Sequence, residues 1–261
     1  MSAVIITKNA ASQLSPCLAS VAFCDEILVV DSGSEDETVE LAQQFGARVI
    51  AADWLGYGPM KQFAVEQAAN DWVLCIDADE RVSDRLRESI ETALTASSAS
   101  TFQAWRFARC NRFMGRYLRH GEGYPDWSLR LFDRRAARWS EDPVHEKVVT
   151  EAEVGTLAGD LMHDSAETLE SYLVKQNRYT TLAAEAAFAA GRRACAANLI
   201  FSPLLRFTKF YFLRLGFLDG VPGLVHILIG CQNSFVKYAK ILTMRRSLAT
   251  QTNLANLKSL D

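Results

Sequence analysis

The chain has 261 residues, 49% of them hydrophobic and 23% charged, with a net charge of −3 at pH 7. That composition describes a folded chain with a sizeable core and excludes a disordered or low-complexity protein. The weakly acidic balance argues against a nucleic-acid partner, and six scattered cysteines without a CxxC pair read as reduced core thiols of a cytosolic protein.

Residues 3–7 (AVIIT) are a short β-rich run. The N-terminus lacks a basic segment and a long apolar stretch, so it reads as a first strand and not as a leader. Residues 12–22 carry helical spacing, with Ser12 as the expected cap. ILVVD (27–31) is a second apolar run, and Asp36 opens a helix to Phe45, with Gly46 as its stop. RVIAA (48–52) predicts a third strand, 58–69 a helix, 72–76 a fourth strand, and Ser83 caps a helix from Asp84 to Ala96. Strands that are apolar throughout, alternating with helices, predict a mainly parallel sheet covered on both faces. Between 102 and 163, short strand-like pieces (FQAWRFAR, SLRLFD, KVVTEAEV) are expected to complete a mixed sheet. Beyond 165 the pattern is helical, over 167–190, 197–219 and 220–246. No run of about 18 uncharged apolar residues appears, so no spanning helix is expected. The expected division is an α/β domain at 1–165, in halves 1–100 and 101–165, a helical region at 166–246, and a polar, frayed tail at 247–261.

Ligands of open α/β sheets bind beyond the carboxyl ends of the strands. Three polar clusters fall there: Thr7-Lys8-Asn9, Asp31-Ser32-Gly33-Ser34 and Asp77-Ala78-Asp79-Glu80. Ser34 and Asp36 suit plain turn and cap chemistry. Asp31 is placed to accept hydrogen bonds from a ribose hydroxyl or a base N–H. In an extended segment Asp77 and Asp79 face the same way and repel unless a cation compensates. Mg²⁺ or Mn²⁺, shared with substrate phosphates, suits such oxygens. The plainer reading of this acidic cluster is a helix N-terminus, with Glu80 a helix-start charge or a supporting residue.

VIITKN, ILVVDSGSEDET, GYGPMKQFA and WVLCIDADE, in this order and spacing, resemble the family 2 glycosyltransferases of the GT-A fold. PDWSLRLF, PVHEKV and an aromatic-basic helical tail narrow the resemblance to the lipopolysaccharide-core glucosyltransferases of Gram-negative bacteria that extend the inner-core heptose. It spans about residues 1–240. The resemblance implies a Rossmann-like GT-A sheet with a C-terminal helical extension, a nucleotide-sugar-binding half over 1–100 and an acceptor half over 101–165. It implies that Thr7, Asn9, Asp31 and Ser32 hold the uridine, that Lys61 lines the nucleotide pocket, and that Asp77 and Ala78 contact ribose or sugar. Asp79 would ligate Mg²⁺ or Mn²⁺ at the diphosphate. Two positions depart from the family: Ala10 stands where Glu often follows TKN, and residues 60–62 read MKQ where relatives commonly read QKN. Secondary donor contacts are expected to differ accordingly.

An inverting transfer needs a carboxylate to take the proton of the acceptor hydroxyl. By resemblance this is Glu146 of VHE, with Asp142 second, and His145 orients the base, contacts phosphate or is merely structural. Asp126 and Trp127 are expected at the acceptor sugar, or as loop packing, and Arg130 at a donor or acceptor phosphate. His163 ends a late strand, where some GT-A enzymes place a histidine metal ligand. The C-terminal helices interleave Arg206, Lys209, Arg214, Lys237 and Lys240 with Phe207, Phe210, Tyr211 and Phe212. Such helices lie on a membrane surface, pack on the catalytic domain or form a homo-oligomer seam. The expectation is a cytoplasmic enzyme, peripheral on the inner face of the bacterial inner membrane. It would move glucose from UDP-glucose to the heptose of a lipid-linked saccharide. Transfer to a polyprenyl phosphate or another glycan, and a non-catalytic nucleotide-sugar-binding protein, are the rival expectations.

Overall fold

The computed structural model describes residues 1–95, 102–142, 146–165 and 168–258, with side chains to residue 246. The chain forms two compact units, Met1–Arg112 with Pro125–Ser165, and Phe113–Tyr124 with Ala166–Asp261. The first unit opens with β1 (Ser2–Thr7), α1 (Ala11–Ser20), β2 (Glu26–Asp31), α2 (Thr38–Gln44), β3 (Arg48–Ala51), α3 (Tyr57–Gln67) and β4 (Trp72–Asp77). There follow β5 (Glu80–Val82), α4 (Asp84–Thr95) and β6 (Ala104–Phe113). β7 (Arg116–Tyr117) falls in the second unit, and the first resumes with β8 (Asp126–Asp133), β9 (Ala137–Trp139), β10 (Val148–Thr150) and β11 (Val154–His163).

The main sheet runs in the order β3-β2-β1-β4-β8-β6-β11-β5, while β9 and β10 form a separate antiparallel pair. Strands β3, β2, β1 and β4 are parallel, β8 is antiparallel to both its neighbours, and β5 is antiparallel to β11. The expected mainly parallel sheet with helices on both faces is therefore present. Alternation within β1 explains the two cores. Ala3 and Ile5 join Leu14, Leu18, Leu86 and Phe107 on one face. Val4 joins Leu28, Val30, Met60, Val73 and Phe132 on the other. Each fully buried Leu, Ile or Phe among these contributes about 1.5–3 kcal/mol relative to exposure.

Strand β8 breaks its own alternation. Trp105 and Arg106 are consecutive on β6, yet they pair with Leu131 and Leu129, so Arg130 is the extra residue of a β-bulge. Leu129 and Phe132 accordingly pack against the same core, which unbroken alternation would forbid.

The second unit contains α5 (Leu169–Ala189), α6 (Ala196–Phe207), a π-helical turn (Thr208–Leu213), a 3₁₀ turn (Gly216–Asp219) and α7 (Gly220–Lys258). Helices α5 and α6 both pack on α7. The single helix expected over 197–219 is broken after the π turn, where Leu215 adopts a left-handed φ of 54° that no helix accommodates. The tail expected to fray from 247 continues as backbone helix to Lys258. Segment 113–124, expected within the sheet half, packs with the helices instead. The buried Asp219 carboxylate accepts the Arg119 and His120 backbone N–H groups at 3.0 and 2.8 Å, and Arg206 Nε donates to Glu122 at 3.0 Å. Helix α1 starts at Ala11, with Ala10 at its cap and no side-chain cap, so Ser12 does not play that part. Instead the Ala10 N–H donates to Thr38 Oγ1 at 2.8 Å.

Candidate active site

Parallel pairing sets the ends of β1, β2 and β4 level. Thr7 lies opposite Asp31, and Ile6 opposite Asp77. The polar residues that follow each strand therefore collect at one edge, as expected for a ligand crevice. Asp31 is buried there and shapes the first wall. It accepts from Thr7 Oγ1 at 3.1 Å, from the N–H groups of Gly33 and Ser34 at 3.0 and 2.8 Å, and from the Ser34 hydroxyl. These four donors match the capacity of one carboxylate. The turn also needs Gly33, whose φ of 82° an L side chain rarely adopts. Asn9, itself left-handed at φ 51°, accepts the Glu35 N–H at 2.8 Å, while its own N–H donates to Ser34 Oγ at 2.8 Å. The loops after β1 and β2 are thus knitted into one cradle. Within it the Ser32 hydroxyl is buried without a hydrogen-bond partner. A buried hydroxyl left unpaired is costly, and a ligand oxygen would satisfy it.

The second wall is an ion-pair network. Helix α3 buries Met60, Lys61, Ala64 and Val65 along one stripe, which carries the Lys61 ammonium inside. It meets Asp77 Oδ1 and Glu146 Oε1, both at 2.9 Å. Arg130, re-aimed by its bulge, reaches Asp77 Oδ2 at 3.1 Å and Glu80 at 3.6 Å. The two cations stand over one ring, Trp139, at 4.8 and 5.2 Å from its centroid. Burial pushes Asp77 towards the protonated form, but Arg130 and Lys61 outweigh it and hold Asp77 well below the usual carboxylate range. Glu80 is fully buried and is no helix-start charge. It begins β5, accepts the Asp77 N–H at 2.9 Å and lies 3.5 Å from Arg109. Burial raises its pKa.

Asp79 is handled differently from Asp77, though they are two residues apart. Its Oδ2 lies 3.1 Å from His163 Nε2, and His163 Nδ1 lies 2.7 Å from Asn111 Oδ1. Burial alone would lower the His163 pKa, but the Asp79 carboxylate outweighs it and the pKa is raised. Among the described residues no three metal-ligating side chains cluster. A carboxylate and an imidazole whose second nitrogen is fixed by Asn111 do fit a divalent cation that takes its remaining ligands from a diphosphate.

Other expected residues are placed as follows. Lys61, expected to line the nucleotide pocket, is committed to Asp77 and Glu146. Arg130, expected at a phosphate, is buried against Asp77. Asp126 pairs with Arg109 at 2.7 Å, and Trp127 is exposed beneath the Arg106 guanidinium. Asp142 is exposed on the segment between β9 and β10, and Ala78 is half-buried between the two aspartates. His145 lies outside the described residues. Glu80 takes the supporting part that was one of its two expected readings, whereas Arg109 and Asn111 were not anticipated as parts of the site. Arg109 and Asn111 alternate along a strand like ordinary surface residues, so only the pairing of β6 with β11 and β8 reveals them.

The sequence model of Glycosyl transferase family 2 matches residues 2–152. A lipopolysaccharide core biosynthesis glycosyltransferase, LpsC, of Rhizobium meliloti is 34% identical over 97% of this chain and 96% of its own. An uncharacterized glycosyltransferase of Rickettsia felis is 30% identical over 97% of this chain and 92% of its own. Among solved structures, S. aureus TarS 1–349 in complex with UDP-GlcNAc aligns with a TM-score of 0.49 and 14% identity, over 94% of this chain and 91% of that one.

Proposed function

The chain belongs to glycosyltransferase family 2, and from that premise we propose that it moves glucose from UDP-glucose, with inversion, onto the heptose of a lipopolysaccharide inner-core precursor. The observation that carries the mechanism is the chain Glu146–Lys61–Asp77, which joins a candidate base to the carboxyl edge of the sheet through one ammonium. The core acceptor is suggested by the LpsC relative and by the VHE segment that holds Glu146.

The uridine and ribose lie in the cradle of Thr7, Asn9, Asp31 and Ser32, where the unpaired Ser32 hydroxyl gains a partner. Asp77, kept ionised by Arg130 and Lys61, accepts from sugar or ribose hydroxyls beside Ala78. Glu146 takes the proton of the acceptor hydroxyl as its oxygen attacks the anomeric carbon, and Asp142 is the second candidate for that role. The bond to the UDP oxygen breaks on the opposite face, which inverts the configuration. Asp79 and His163 would hold a Mg²⁺ or Mn²⁺ ion, whose chemistry there is to neutralise the diphosphate.

The helical unit is read as a membrane-surface element. Ile200, Phe201, Leu204, Leu205, Phe212 and Leu213 are exposed, close in sequence to Arg206, Lys209 and Arg214. Among the described residues no single helix is long and apolar enough to cross a membrane, and the pair Ala196–Leu213 and Gly216–Arg246, which is long and apolar enough only together, is bent by 75°. An exposed apolar band with interleaved cations suits the interface of an anionic bilayer.

The test is a screen of UDP-sugars against core precursors truncated at successive sugars, with products identified by mass. One added hexose on a heptose-terminated precursor is expected. Asp79→Ala should lower the rate by about 10³-fold, as should a chelator, on the scale of lost charge stabilisation. Full transfer by Asp79→Ala in the presence of chelator would overturn the metal assignment. Transfer only to a polyprenyl phosphate would overturn the acceptor.

A further inference from the structure

We propose that Trp54 and Tyr57 form the stacking platform for the acceptor saccharide, an assignment that rests on the transferase reading above. Among the described residues of the sheet unit, three large exposed apolar side chains fall within four positions: Trp54 (49% exposed), Leu55 (53%) and Tyr57 (49%). The two rings are not loose. Their centroids lie 4.9 Å apart at an interplanar angle of 87°, so the edge of one ring braces the face of the other while about half of each side chain stays exposed.

Their position ties them to the reacting end of the site. The loop that carries them starts at Ala52, whose N–H donates to the Asp31 carbonyl at 2.9 Å. It ends at Gly58, in the first turn of α3. A Cβ added at Gly58 would fall 2.2 Å from the Ser140 carbonyl oxygen, 2.6 Å from that of Asp142 and 3.3 Å from Glu146 Cβ. The backbone directly after Tyr57 is therefore pressed against the segment that holds both candidate bases. Two further links fix this contact: Lys61 to Glu146 at 2.9 Å, and the Trp139 N–H donating to Gln62 Oε1 at 3.0 Å. A hydroxyl that reaches Glu146 belongs to a saccharide that extends past it, and Tyr57 directly precedes the Gly58 contact, with Trp54 braced against Tyr57.

The chemistry selects a neutral sugar. A pyranose presents an apolar C–H face to an aromatic ring and hydroxyls to carboxylates, the mixture that concave saccharide and small-molecule sites use. Asp53 and Asp142 are exposed in the two segments, and Glu141 joins them. These acids would repel a phosphorylated ring or an anionic lipid headgroup and would accept from sugar hydroxyls.

The experiment uses the full chain and a deacylated, heptose-terminated core oligosaccharide as probe, so that no lipid is present. Trp54→Ala is expected to raise the KM for this acceptor at least tenfold, with kcat within threefold and UDP affinity by calorimetry unchanged. Trp54→Leu, which keeps an apolar side chain but loses the ring face, should behave like Trp54→Ala. An acceptor KM within twofold of wild type in both Trp54 variants would overturn the platform. So would a parallel loss of UDP affinity, which would place Trp54 at the nucleotide. If the wild type transfers nothing to this probe, the proposed acceptor fails, and saturation-transfer NMR then decides the platform. Ring-proton signals of the oligosaccharide seen with wild type and lost with Trp54→Ala would support it, and signals equal in both, or absent from both, would overturn it.

Discussion

The two units use apolar residues in opposite ways. In the sheet unit they are consumed: two clusters, one on each face, bury Ile5, Leu14, Leu28, Met60, Phe107 and Phe132 almost completely. In the helical unit the buried cluster contains only Ala184, Ala194 and Ile241 among the described residues, while Leu205 and Leu213 stand 70% and 75% exposed. Charges are reversed as well. The sheet unit buries Lys61, Glu80 and Arg130 in one network, whereas the helical unit keeps Lys209, Lys237 and Arg214 near its surface. The first unit stores interaction energy inside; the second presents it outside. Hydrophobicity in a sequence thus states an amount of apolar surface, not its destination.

The strongest way to break this contrast is Lys61→Met. It removes one cation from a buried set, leaving Glu146 without its partner and Asp77 with Arg130 alone. A loss of about 3 kcal/mol is expected in urea unfolding, at the low end for a broken buried pair because Asp77 keeps one partner. Transfer should be lost as well, and hydrogen exchange in α5 and α7 should be unchanged. A cost below about 1 kcal/mol, the ceiling of a surface pair, would mean that the network is not buried in solution.

Next in size is Leu204→Glu combined with Leu205→Glu. Both positions are exposed, so unfolding should change by no more than about 0.5 kcal/mol per site. Binding to vesicles containing anionic phospholipid should nevertheless fall at least tenfold in a flotation assay. Large destabilisation with unaltered flotation would show that these residues pack inside an assembly.

A smaller effect sharpens the comparison through pH. His163, in the sheet unit, has a raised pKa because Asp79 outweighs its burial. Its contribution is full below the unfolded histidine value near 6.5 and is lost as pH rises through the raised value. His226, in the helical unit, is held down by burial and then by Arg206, and its ring faces Tyr172, whose hydroxyl lies 3.2 Å from Nε2, with Phe113 beside it. Its contribution is present above about 6.5 and is lost as pH falls through the lowered value. Between pH 8 and pH 5.5, exchange-derived stability should rise with acid around His163 and fall around His226. Movement in the same direction would contradict one of the two placements.

The smallest effect concerns thiols. Cys195 is exposed, while burial pushes Cys75 up to about 11 and Cys24 up to about 12. Iodoacetamide at pH 8 should alkylate Cys195 within minutes and leave Cys24 and Cys75 unmodified until the chain unfolds, as peptide mass mapping would show.

Much of the N-terminal half was legible because its signals are local. Apolar runs of strand length, glycine stops and polar strand ends located β1 to β4, α3 and the clusters at Thr7, Asp31 and Asp77. The site's partners were not legible, because they arise from pairings far apart in sequence. Asp77 meets Arg130, Asp79 meets His163 and Glu146 meets Lys61 only after β8, β11 and the β9–β10 hairpin have taken their places. Spacing suggested that Asp77 and Asp79 face one site; it carried no sign that each would have its own protein partners there, Lys61 and Arg130 for Asp77 and His163 for Asp79. The break at Leu215 was also hidden, since a leucine with positive φ carries no mark in the sequence.

The bulge at Arg130 has one more consequence. Strand β4 pairs with β8 only at Trp72, Val73 and Leu74, and beyond that point the two strands part. A small cavity opens there, lined by Ile6, Lys61, Cys75, Asp77 and Arg130. This small cavity lies beside a counting offset of one residue, so length matters more to it than identity. Variation in this strand should be read as a matter of insertions and deletions: losing one residue between Trp127 and Arg130 would restore regular phase and close this cavity, although every side chain that lines it could survive.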